Sequence, residues 1–203
     1  MKTVVVAPDE LWEELSTTLN HLEFVRVNSV GDFSNFGSED VFFNLCQGAE
    51  KVPYNNTDGL LFINSQIITL KESNQPSNVF RLNCWNGFLK RNVWEIAGVV
   101  NDTLSDYLLS INKEFIATPD LPGFVSSRII SMIINEAYFS LAEGVSTKHQ
   151  IDVAMKLGTN YPRGPFEWSE EIGLKNVLSL LQTLSNEDVS YQPAPLLLKE
   201  SEA

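Results

Sequence analysis

Residues 118–174 read TPDLPGFVSSRIISMIINEAYFSLAEGVSTKHQIDVAMKLGTNYPRGPFEWSEEIGL. A Pro-Gly-Phe turn at 122–124 opens a run in which Val125, Ile129, Ile130, Ile133, Ile134, Ala137, Tyr138 and Leu141 recur with the helical period. Ser126, Ser127, Ser131, Asn135, Glu136 and Ser140 fill much of the remainder. Gly144 suits its end. Thr147 and Gln150 form a capping-box pattern for a second helix, continued by Ile151, Ala154, Met155 and Leu157. Gly158, Pro162, Gly164 and Pro165 punctuate a loop that delivers Phe166 and Trp168 to a helical core. A third helix spans 174–184, with Val177, Leu178 and Leu181 inward. The acidic tail from Ser185 carries Tyr191-Gln-Pro-Ala-Pro195.

Upstream, the pattern changes. Short runs rich in Val, Ile and Phe lie at 3–6, 24–27, 41–44, 59–63, 79–82, 93–98 and 114–117. Unbroken apolar runs of this length suit strands buried on both faces. Helices are expected at 9–20, with Leu11, Leu15 and Leu19 on one face and Asp9 as N-cap, and at 101–112. The stretch 29–38 lacks helix signals, so the early crossovers read as loops. The expected fold is therefore α/β plus all-α, with a largely parallel sheet domain over 1–118 and a helical domain over 119–203.

Composition bounds the function. With 43% hydrophobic and 20% charged residues, the chain has the balance of a soluble globular protein. A net charge of −12 repels a phosphate backbone, which argues against nucleic acid. No apolar run is long enough for a membrane span. The start, MKTVVVAPDELWEEL, lacks the long apolar stretch of a leader, so a cytoplasmic location is expected. Cys46 and Cys84 form no CxxC pair and read as small apolar residues. His21 and His149 lie in polar contexts and read as surface residues.

Three ordered blocks, Asp120–Arg128, Asn135–Gly144 and Gly158–Gly173, resemble the helical C-terminal domain of the 3-hydroxyacyl-CoA dehydrogenase family. Before residue 118 the resemblance weakens, and before Gly59 it is faint in a stretch that looks shortened by several tens of residues, giving a reduced Rossmann-like unit. The resemblance implies a general-base histidine paired with a glutamate. In that register Asn83 takes the histidine's place and Glu95 that of its partner. Asn64 matches an asparagine of the family's Asn-Thr-Ser-Ser segment, and Gln66 falls on the substrate-binding serine, with Ser65 one position away. Ser127 takes the place of an active-site asparagine. Asn64, Ser65, Gln66, Asn83, Glu95 and Ser127 are thus the candidate site, with Asn64 and Ser65 as substrate contacts. An amide is no general base at neutral pH.

A dinucleotide site needs glycines after the first strand, so that backbone can approach the pyrophosphate at a helix N-terminus. Here Ala7-Pro8-Asp9-Glu10 follows Val4–Val6, and no glycine occurs before Gly31. Two carboxylates stand where the pyrophosphate would lie. No cofactor is therefore expected, and no metal. The expectation is a dimer, formed through the helical domain as the resemblance implies, that binds an acyl-CoA thioester or another small molecule without catalysis or with altered function. The alternative is a minimal NAD-dependent 3-hydroxyacyl-CoA dehydrogenase of fatty-acid metabolism.

Overall fold

The computed structural model describes residues 1–54 and 58–202. It divides into two compact units, Met1–Phe124 and Val125–Ala203.

The first unit is a seven-stranded sheet in the order β2-β1-β3-β4-β5-β6-β7. The strands are β1 (Thr3–Val6), β2 (Phe24–Arg26), β3 (Val41–Asn44), β4 (Leu61–Asn64), β5 (Val79–Leu82), β6 (Val93–Ala97) and β7 (Glu114–Thr118). Only the β5–β6 pair is antiparallel. β1, β3 and β5 are buried along their whole length. This is why they read as unbroken apolar runs: both faces of the sheet are covered.

One face carries Val5, Phe43, Phe62, Phe80 and Leu82, packed under α1 (Asp9–Thr18) and α2 (Asp102–Ser110) through Leu11, Leu15, Leu104 and Leu108. The other face carries Val4, Val6, Phe42, Leu61, Ile63 and Val79, and packs against Phe33, Ala49 and Tyr54. The cover on this second face is short. Residues Val30–Asn35 form a 3-10 turn closed by a capping box between Ser29 and Asp32, and Ala49–Lys51 form another. The reading of the early crossovers as loops fails only in this detail, because 3-10 turns have no hydrophobic period long enough to notice. A second difference lies at α1. Its N-cap is Pro8, and Asp9 is the first helical residue.

The helical unit contains α3 (Val125–Ala142), α4 (Lys148–Thr159), α5 (Pro165–Ile172), α6 (Leu174–Ser185) and α7 (Pro195–Ser201). The capping box of Thr147 and Gln150 starts α4 as the spacing predicts. α5 was hidden in a Pro-Gly loop: Pro165 stands at its first turn, where its missing N–H costs nothing. Phe166 and Trp168 are buried from it. Gly164 is required by space, since a Cβ there would overlap Asp152, whose carboxylate accepts from Phe166 N (2.8 Å).

α3 turns a polar row inward. Val125 and Ile129 are 52% and 54% exposed, whereas Ser127, Ser131 and Asn135, at four-residue spacing, are fully buried. The reason is long-range. Asn135 Nδ2 donates to Gln192 O (2.9 Å), and Ala194 N donates to Asn135 Oδ1 (2.8 Å), so a buried amide fastens the tail. α7, unread in the sequence, then docks Leu197 beneath α3 and α6. Glu200 accepts from Tyr138 Oη (3.0 Å) and Lys148 Nζ (2.6 Å). Burial and the nearby Glu200 carboxylate both raise the Tyr138 phenol, so it stays protonated and donates.

Candidate functional site

β5 and β6 run antiparallel, with Arg81 opposite Ala97 and Leu82 opposite Ile96. Continuing that register places Asn83, just beyond β5, against Glu95, and Asn83 N donates to Glu95 O (3.2 Å). Their side chains meet too: Asn83 Nδ2 donates to Glu95 Oε2 (2.8 Å). A carboxylate only accepts, so it fixes the orientation of the amide. Asn83 Oδ1 then points the other way and accepts from Gln66 Nε2 (2.7 Å). Gln66, Asn83 and Glu95 therefore form a relay, buried at Asn83 and Glu95 and half-buried at Gln66, whose polarity is set from Glu95 outward. Beside it lies a cavity of about 20 Å³, lined by Asn83, Phe88, Arg91, Val93, Trp94 and Glu95. That is room for a water molecule and not for an acyl chain.

Asn64 and Ser65 bond the main chain near their own strand ends. Ser65 Oγ donates to Ile68 O (2.6 Å) and closes the turn after β4. Asn64 Nδ2 donates to Leu45 O (3.1 Å), bridging the ends of β3 and β4. Ser127 is buried in the first turn of α3, in the helical unit. The position identified by counting, Gln66, is thus the one that reaches Asn83, while Ser65 serves the turn.

Arg81 stands outside the six candidates, and its signal in the sequence is a lone charge inside the apolar run Val79–Leu82. It is fully buried. Its Nε donates to Ser65 O (3.0 Å), Nη1 to Asp120 Oδ1 (2.8 Å) and Leu121 O (3.0 Å), and Nη2 to Gln66 O (3.1 Å). The guanidinium also lies 5.2 Å from the Phe124 ring centroid. Burial lowers its pKa and the hydrogen-bonded Asp120 opposes this, so the group stays charged. These bonds explain why residues 119–124 belong with the sheet unit and why the division falls after Phe124.

The turn between β1 and α1 offers no phosphate cradle. Pro8 has no N–H, and Asp9 and Glu10 occupy the first turn of α1. Arg26, at the end of β2, donates to Ala7 O (3.0 Å) and to Asp9 Oδ1 (2.6 Å), and lies 5.2 Å from the Trp12 ring centroid. Further along α1, buried Glu14 accepts from Gly87 N (2.8 Å) and Lys90 N (3.2 Å) and so holds the turn that follows Asn83. These residues do not fit a bound pyrophosphate as they stand. Among the described residues no cluster could hold a metal ion, and no helix is long and apolar enough to cross a membrane. His21 and His149 are exposed, and both cysteines are free.

Comparison with known proteins gives this geometry its setting. Residues 123–203 match the family described as 3-hydroxyacyl-CoA dehydrogenase, C-terminal domain. A 3-hydroxybutyryl-CoA dehydrogenase of Bradyrhizobium diazoefficiens is 38% identical over 115 residues, which is 53% of this chain and 39% of that protein. One from Clostridioides difficile is 34% identical over 154 residues, 70% of this chain and 55% of that protein. The chain thus spans about half the length, or less, of these two relatives. The fold is shared with the crystal structure of M. tuberculosis FadB2 (TM-score 0.80, 16% identity, covering 99% of this chain and 93% of that one). It is shared as well with (S)-3-hydroxybutyryl-CoA dehydrogenase PaaH1 from Ralstonia eutropha (TM-score 0.72, 19% identity, covering 98% and 93%). The helical unit therefore belongs to the family described as 3-hydroxyacyl-CoA dehydrogenase, C-terminal domain, and the chain as a whole shares the fold of the solved dehydrogenase.

Proposed function

We propose that the chain acts in the oxidoreduction of short-chain 3-hydroxyacyl-CoA thioesters, with NAD as redox partner. The observation that carries this reading is the length of the Clostridioides difficile match. At 154 residues it exceeds the helical unit and reaches into the sheet unit that holds Gln66, Asn83 and Glu95. Within that trio Glu95 is the only group able to take a proton, and Asn83 holds its carboxylate in place. Gln66 carries the amide donors suited to a 3-oxo or 3-hydroxyl oxygen. The β1–α1 turn does not supply a dinucleotide cradle, so in this reading NAD is held by other groups, and no step is derived through it.

A second reading, binding of the thioester without turnover, is favoured by one specific observation: an amide stands where the resemblance calls for an imidazole. Acetoacetyl-CoA-dependent oxidation of NADH by the native protein separates the two. The proposal expects turnover, reduced at least about 100-fold by Glu95→Gln, the scale of an acid–base contribution. No turnover, with acetoacetyl-CoA bound at a Kd below about 100 µM, supports the second reading. Neither turnover nor binding rejects both.

We further propose that the protein pairs with a second copy of itself through the helical unit. Val125 and Ile129 present an apolar stripe on α3 that its own unit leaves exposed, and two-fold pairs are the commonest assemblies. Light scattering at micromolar concentration is expected to give twice the chain mass, and Ile129→Asp is expected to give the monomer. A monomeric wild-type protein contradicts this.

A further inference from the structure

We infer that Arg81 and Asp120 are positioning residues for Gln66, so that the amide relay of the candidate site depends on a charge pair outside it. The inference rests on reading Gln66, Asn83 and Glu95 as the site.

A fully buried guanidinium in a central strand carries a desolvation cost that a leucine would not. Its bonds show what it holds. Three of its acceptors are main-chain carbonyls, Ser65, Gln66 and Leu121, and the fourth is Asp120. Two of those carbonyls, Ser65 and Gln66, lie at the start of the turn from which the Gln66 side chain leaves. Gln66 O receives a second donor, Gly123 N (2.5 Å). The Asp120 carboxylate also accepts from Leu70 N (3.1 Å) and Lys71 N (3.1 Å), so both ends of the 65–71 turn are tied to one ion pair. Ser65 Oγ on Ile68 O closes the turn between them. The Gln66 backbone is therefore fixed on one side by Arg81, while its side chain meets Asn83 on the other. The guanidinium fork makes this possible, because its donors diverge in one plane at fixed angles; an ammonium is a single point on a flexible stem.

Hydrogen exchange and ¹⁵N shifts of the Gln66 and Asn83 side-chain amides test the inference in Arg81→Lys, which keeps the charge and loses the fork. Leu108→Ala is the control, a core truncation in α2 that lowers stability without touching the turn. Arg81→Lys is expected to speed exchange of the Gln66 side-chain amide, the donor to Asn83 Oδ1, about tenfold, the equivalent of one lost hydrogen bond, and to move both resonances towards free-amide values. The control is expected to leave the shifts in place. If Arg81→Lys does not fold, Asp120→Asn, which removes the ion pair and keeps one of the two acceptor oxygens, must show the same changes. Unchanged amides in a folded variant, or equal changes in the control, overturn the inference. The measurement uses no ligand and no turnover, so it can fail or succeed independently of the proposed reaction.

Discussion

Asn83→Asp will destabilise the protein by about 3–5 kcal/mol at pH 7, the scale of an uncompensated buried charge. Asn83 and Glu95 are both buried, and their side chains meet at 2.8 Å with the amide as donor. Asp removes that donor and places a second carboxylate against the first. Two carboxylates so close cannot both ionise, and the pair retains one proton. The sign of the pH dependence follows. The affected carboxyl is raised relative to the unfolded chain, so the variant recovers stability as pH falls below the raised value and approaches the ordinary carboxyl range near about 4. The deficit is lost in full only below that range and is complete at pH 8. Urea midpoints for variant and wild type at pH 4.5 and 8 should differ least at the lower pH. A deficit that does not change with pH would show that Asn83 and Glu95 are not in contact.

Asp120→Ala should cost about 3 kcal/mol, because it leaves the fully buried Arg81 charge without its counter-ion. It also strands Leu70 N and Lys71 N. Asp120→Asn should cost less than Asp120→Ala, since its single amide oxygen can still accept from one of those two donors while the ion pair is lost. The double variant Arg81→Met/Asp120→Ala should be more stable than Asp120→Ala alone, because the orphaned charge goes with its partner. Simple additivity of the two single losses would mean that the charges do not interact.

Much of the fold can be read in the sequence because its signals are local. Strands buried on both faces announce themselves as runs such as Val41–Asn44 and Val79–Leu82, and the capping box at Thr147 marks the start of α4. Asn83 and Glu95 are legible as a pair through the family resemblance, and the structure sets them on neighbouring strands. What sequence could not decide is which groups meet across longer separations. The period of α3 shows a helix, but its apolar residues cover more than one face, and only Asn135 bound to the 192–194 backbone determines which face turns inward. Pro165 looks like a loop residue until the helix behind it is seen. The choice between Ser65 and Gln66 turns on a one-residue register that counting leaves open; the structure gives the hydroxyl to Ile68 and the amide to Asn83. Arg81 shows the limit most clearly. A charge in a buried strand is an anomaly in the sequence, and its partners lie 15 to 40 residues away. Burial makes each of those bonds obligatory, since a desolvated polar group without a partner is costly, and tertiary packing alone settles which partner it finds.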